Sequence, residues 1–191
     1  MTEFWFVRHG QTDWNIEARY QGQQNIPLNE WGIQNANRLA LELAGFPFNA
    51  LYSSDLSRAV QTAQILSSPH GLQIIEDERL REIHLGIWEG LLFSDIEQKY
   101  PEYLIQRRQD ANIPCAPEGE NITFVAIRIT SFMDEVALNY PKGKILVVTH
   151  GMMIATALCL ASKSPLIEAY LKIPKNLTTQ IIFWNVISSI D

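Results

Sequence analysis

An α/β fold, a three-layer α/β/α sandwich with a largely parallel central sheet, is predicted by two features of the sequence. Short apolar runs without alternation read as strands buried on both faces, and amphipathic segments with helical spacing lie between them. Strands that alternate with helices are joined by crossovers, which put helices on both faces of a parallel sheet. The 191 residues suit one domain, expected over 1–191, with an irregular, partly helical excursion at about 84–120.

The first strand is expected over Thr2 to Val7, followed by a polar loop over 10–28. A helix then starts at the N-cap Asn29, with Leu28 and Ile33 placed as a hydrophobic staple and Gly45 as the stop. Ile33, Ala36, Leu39, Ala40 and Leu43 form its apolar face. "ALYSS" (50–54) is a short strand, "DLSRAVQTAQIL" (55–66) a helix capped by Ser54, and "LQIIE" (72–76) a third strand after the Pro69-His70-Gly71 turn. Ser94 and Glu97 have capping-box spacing, and Pro114, Pro117 and Gly119 mark a loop. Ile122, Val125, Ile129, Phe132 and Val136 stripe a long helix over 122–139. "KILVVT" (144–149) is a strand and "GMMIATALCLA" a core helix. A short helical stretch at 165–171 precedes a last strand, "TQIIFWNV" (179–186), whose direction is open.

The composition, 47% hydrophobic and 19% charged, is that of a soluble globular chain. A net charge of −6 argues against nucleic acid or an anionic membrane as the main partner. The N-terminus lacks the pattern of a signal peptide, and the most apolar segment is too short to span a bilayer. Cys115 and Cys159 have no metal-ligand spacing, which fits a reducing cytoplasm.

In an open α/β sheet the ligand crevice lies beyond the carboxyl ends of the strands. Three strands end in polar clusters: Arg8-His9-Gly10, Ser54 with Arg58 a turn later, and His150-Gly151. If these strands are parallel, the clusters share one edge. Guanidinium forks match phosphoryl oxygens, and glycines let backbone N–H groups at helix starts approach an anion. An imidazole kept neutral by neighbouring guanidinium charges can accept a phosphoryl group and release it.

The blocks "VRHGQTDWN", "LYSSDLSRAVQTA", "LREIHLGIWEG" and "VVTHGMMI" resemble, in order and spacing, the motifs of the histidine phosphatase superfamily, also called phosphoglycerate mutase-like. The resemblance covers residue 4 to about 155 and implies the corresponding fold. It implies that His9 is the phosphorylated nucleophile, that Arg8, Arg58, His150 and Asn15 hold the phosphoryl group, and that Glu82 is the proton donor; Gly151, at a helix start, is expected to add a backbone N–H to the phosphoryl site. A carboxylic acid is what a leaving alkoxide needs, and a neighbouring phosphoryl dianion favours its protonated form. Asn25 departs from the pattern, standing where many relatives carry an acid.

Gln21, Gln23 and Trp14 are placed at the substrate rim. Arg107 and Arg108 either reach a second acidic group on the substrate or cover a solvated helix face. Trp5, Trp31, Trp88 and Trp184 read as buried or partly buried aromatics, and the Met152-Met153 pair as core filling. His70 and His84 form no ligand pair with the other histidines, so no metal or cofactor is expected.

The expected function is metal-independent hydrolysis of a small phosphorylated metabolite through a phosphohistidine. Candidate substrates are a sugar phosphate, a phosphoglycerate or α-ribazole 5′-phosphate. Phosphoglycerate mutase activity is one alternative, although Glu82 and His150 stand only 68 positions apart, which resembles the compact phosphatases. A non-catalytic phospho-ligand binding module is the other. The sequence carries no signal for oligomeric state.

Overall fold

The computed structural model describes residues 1–186; residues 187–191, the end of the expected domain, lie outside the described residues. Five strands, β1 (Thr2–Arg8), β2 (Ala50–Ser53), β3 (Ile74–Glu76), β4 (Lys144–Thr149) and β5 (Thr179–Trp184), form one sheet in the order β3-β2-β4-β1-β5. All neighbours are parallel except β5, which runs antiparallel to β1 at the sheet edge and so settles the open direction. The helices are α1 (Asp13–Ile16), α2 (Glu30–Leu43), α3 (Ser57–Ser67), α4 (Phe93–Lys99), α5 (Pro101–Gln106), α6 (Ile122–Asn139) and α7 (Gly151–Ser162). No described helix is long and apolar enough to cross a membrane.

Alternation along β1 splits the core in two, as the period of a strand requires. Phe4 and Phe6 join Ile145, Val147 and the buried stripes of α6 and α7 on one face. Trp5 and Val7 join Leu146, Val148 and the inner sides of α2 and α3 on the other. Every residue from Phe4 to Val7 is buried, which explains why the strand carries no polar alternation.

Several local expectations are corrected. Ile33 is 42% exposed and forms no part of the inner face of α2; Gly32 takes that place because the Gln11 backbone lies against it. Gly45 is not a left-handed stop, since α2 closes at Ala44 in right-handed geometry. Ser54 does not cap α3, which starts at Ser57; the Ser57 N–H instead donates to Asn25 Oδ1 at 3.0 Å. Asn25 thus retains the acceptor that a helix start needs. Ser94 and Glu97 form no capping box, because α4 is entered from a backbone bridge between Arg19 and Leu92 and the Phe93 N–H already donates to Ala18 O at 2.9 Å. Trp31 is half exposed rather than core.

A Cβ added at Gly32 would lie 2.3 Å from Gln11 O and 2.8 Å from Gln11 N. Alanine in a helix interior ordinarily gains up to about 1 kcal/mol over glycine, and Gly32 stands in the first turn of α2. Here the backbone overlap outweighs that gain, and Gly32→Ala should destabilise the fold by about 1–3 kcal/mol. Urea unfolding checks the sign: a midpoint unchanged or raised would contradict the packing.

Candidate active site

Strand register brings the site together. Arg8 pairs with Thr149, Val7 with Val148, and Ser53 with Val148, so the first residues beyond three parallel strands stand side by side. The His9 N–H donates to Thr149 O and the Ser54 N–H to Val148 O, which carries the ladders one residue further. The rings of His9 and His150 lie 5.1 Å apart between centroids.

His9 is 2% exposed, and its Nδ1 lies 2.7 Å from Gly10 O. A carbonyl only accepts, so Nδ1 carries the proton and Nε2 keeps a lone pair. That lone pair accepts from Arg58 Nε at 3.3 Å. Burial pushes the His9 pKa well below its ordinary value, and the charges of Arg58 and Arg8 push the same way. His150, fully buried, is likewise held neutral by burial and then by Arg58. Its Nε2 lies 2.8 Å from Ser54 Oγ, while its Nδ1 has no partner among the described residues.

Arg58 is fully buried on the first turn of α3 and donates through Nη1 to Gln24 O at 2.7 Å and through Nη2 to Gly22 O at 2.8 Å. Burial lowers its pKa to about 10, so the guanidinium stays charged near neutral pH. Arg8 donates through Nη1 to Pro174 O at 2.7 Å, and its Nε is buried without a partner. Neither cation forms an ion pair with a carboxylate among the described residues. A fully buried guanidinium and a partly buried one, neither hydrogen-bonded to a carboxylate among the described residues, stand at one strand edge and can take an anion.

The remaining expected residues divide. Asn15 lines the cavity; its Oδ1 accepts from the Thr12 N–H at 3.1 Å and from Asn176 Nδ2 at 3.3 Å, which leaves its NH₂ for a ligand. Gly151 opens α7 and lines the cavity; a Cβ there would lie 2.8 Å from Ile173 Cγ2 and 3.4 Å from Arg8 Cζ, so the glycine makes room chiefly for the Ile173 side chain. Glu82 lines the same cavity, with Oε1 accepting from the Ile83 N–H at 2.9 Å and Oε2 from the Met152 N–H at 3.3 Å. Gln21 is buried at its wall with Oε1 unpartnered.

Gln23 and Trp14 do not line it. Gln23 Nε2 turns back to donate to Glu82 O at 3.0 Å, and Trp14 lies beside Gly90 under the Arg19 guanidinium. Arg107 lies on no solvated face: it is 4% exposed and lines the cavity, whereas Arg108 at the same wall is exposed. Sequence reasoning gave no role to Thr62, whose Oγ1 accepts from the Gly10 N–H and donates to Arg58 O, or to Asn176, which donates to His9 O. The i, i+4 spacing of Arg58 and Thr62 was the available signal; Asn176 had none.

Fold and edge together define an α/β protein arranged to take an anion between two arginines and two neutral histidines. The family model of the histidine phosphatase superfamily (branch 1) matches residues 4–185, and the chain belongs to that superfamily. A Yersinia pestis protein named probable phosphoglycerate mutase GpmB is 36% identical over 166 residues, covering 85% of this chain and 74% of the relative. The structure of a mycobacterial glucosyl-3-phosphoglycerate phosphatase with VO3 superposes with a TM-score of 0.87 at 32% identity, covering 94% of this chain and 90% of that one. Bacillus stearothermophilus YhfR gives 0.87 at 33% identity, covering 97% and 92%.

The lowered histidines set the pH dependence of stability. Below about pH 6.5 an unfolded histidine takes up a proton that His9 and His150 refuse in the fold. Stability is therefore retained above that pH and lost as the pH falls. Denaturant unfolding should show a midpoint that declines from pH 7.5 to 5.5, less steeply in the double variant His9→Asn/His150→Asn. Equal slopes would contradict the assignment.

Proposed function

We propose that the protein is a phosphatase that hydrolyses a small phosphomonoester through a phosphohistidine at His9. The observation that carries this reading is the contact of His9 Nδ1 with Gly10 O, which puts the proton on Nδ1 and leaves Nε2 unprotonated at the cavity, where its lone pair accepts from Arg58 Nε until an incoming phosphoryl group takes that donor. The phosphoryl oxygens are taken by Arg8, Arg58 and Asn15, which line the cavity, and His150, buried behind them with its ring 5.1 Å from that of His9, has an unpartnered Nδ1 to add. His9 Nε2 forms the bond to phosphorus as the ester P–O bond breaks, and Glu82 delivers its proton to the leaving oxygen. The resulting carboxylate then takes a proton from water as the water oxygen displaces His9. Charge is balanced by side chains and by the start of α7.

The name of the mycobacterial phosphatase supports hydrolysis. The name of the Yersinia relative supports the second reading, return of the phosphoryl group to another hydroxyl. Isomer exchange of phosphoglycerates, measured with and without bisphosphoglycerate, separates the two.

Hydrolysis of p-nitrophenyl phosphate should fall by about 10³ or more in His9→Ala. Wild type no more active than this variant across a metabolite panel would leave only a binding module. Glu82→Gln should lower kcat/KM about 10²-fold or more on alkyl phosphates, whose leaving groups need a proton, and under about tenfold on the aryl ester. Equal losses would remove Glu82 as the acid.

A further inference from the structure

Glu82 stands on a stretch of chain that the sheet does not hold. From Arg81 to Leu85, between the 3₁₀ turns Glu78–Leu80 and Gly86–Trp88, the backbone is neither helix nor strand, and no backbone N–H among the described residues donates to the carbonyls of Arg81 and Glu82. We propose that Arg128 and Glu120 are positioning residues for this acid: their ion pair clamps the 79–84 backbone and so aims the Glu82 carboxyl at the leaving oxygen. The inference rests on the reading of Glu82 as the proton donor and extends it to two residues that do not line the cavity.

The contacts converge on one guanidinium. From α6, Arg128 donates through Nη1 to Arg79 O at 2.7 Å and to Arg81 O at 2.6 Å, and through Nη2 to Glu82 O at 3.2 Å. Its other edge meets Glu120, with Nε 3.2 Å from Oε1 and Nη2 3.1 Å from Oε2. Glu120 then reaches the far side of the acid. Its Oε2 accepts from the His84 N–H at 2.8 Å, and its own N–H donates to His84 O at 2.9 Å. The pair therefore grips the chain both before and after Glu82.

The residue types suit that task. A planar guanidinium with five fixed donors can meet three carbonyls and a carboxylate at once, whereas an ammonium offers its donors from a single point. A partly buried charge is costly to keep for packing alone, which an apolar side chain on α6 would supply. With the backbone held, the Glu82 carboxyl rests on the N–H groups of Ile83 and Met152 at the cavity. Displacement of a reacting group by about 1 Å can cost about 10²-fold in rate, so the path of this irregular stretch matters to proton delivery. A link that only fastened α6 would affect all substrates alike. One that aims the acid affects those whose leaving group needs a proton.

The test compares kcat/KM of the whole chain on p-nitrophenyl phosphate and on β-glycerophosphate. Arg128→Gln should lose at least tenfold more on β-glycerophosphate than on the aryl ester, and Glu120→Gln at least threefold more. Without Glu82 there is no acid to aim, so adding Arg128→Gln to Glu82→Gln should cost less than threefold further on β-glycerophosphate. Equal losses on the two esters in Arg128→Gln, or a further loss of threefold or more in the double variant, overturn the role. Glu120→Gln leaves Arg128 in place and decides the matter if Arg128→Gln does not fold, since equal losses there overturn the role as well. Failure of the underlying reading is seen separately, as equal losses in Glu82→Gln by itself. Selective loss in Glu82→Gln beside unselective loss in Arg128→Gln removes the positioning role alone.

Discussion

The hydrogen bond from Arg58 to His9 is the contact on which the site depends. It needs a fully buried guanidinium, a neutral imidazole and a defined tautomer at once, and each is arranged by a different part of the chain. The carbonyls of Gly22 and Gln24 hold the arginine, and Gly10 O holds the imidazole proton. Glu89 in turn fixes the 22–24 loop, accepting from the Gln23 N–H at 2.9 Å and from Gln24 Nε2 at 2.8 Å. Gly22 adopts a φ of +50° and leaves that carboxylate its space, since a Cβ there would lie 2.1 Å from Glu89 Oε1. A loop and a carboxylate far from the nucleophile in sequence therefore set its geometry.

The sheet supplies the second constraint. Parallel β1, β2 and β4 end in register, so one geometry delivers Arg8, His9, Ser54 and His150 to a common edge. Because those strands are buried on both faces, the polar side chains near their ends are hydrogen-bonded: Ser53 Oγ donates to Ser54 O and Thr149 Oγ1 to Leu80 O. The abrupt change from Val7 to Arg8 and His9 is the boundary between sheet and site.

How much of this was legible follows from the range of each interaction. Strand and helix periods are local, so β1, β4, α6 and the two-faced core were readable within a few residues. The site's central residues were readable because they immediately follow strands whose parallel pairing the βα alternation implies. Partnerships between distant segments were not: Asn25 capping α3, Gln23 turning to the Glu82 carbonyl and the burial of Arg107 among three aromatics all depend on loops whose paths carry no periodicity. Ile33 was misplaced for the same reason, since only the approach of Gln11 selects Gly32 as the inner residue. Ser54 was read as a cap because its residue type suits one, whereas the hydroxyl lies against His150.

The central claim is that His9 Nε2, freed by the proton held on Nδ1, is the atom that takes the phosphoryl group. Rapid quenching of the protein with a phosphomonoester, followed by peptide mapping and phosphorus NMR of the trapped adduct, addresses that atom directly. The expected product is an acid-labile, base-stable phosphohistidine at residue 9, substituted on Nε2. A phosphoryl group on Nδ1 or on His150, or hydrolysis that proceeds with no trappable adduct in the wild type, would contradict it.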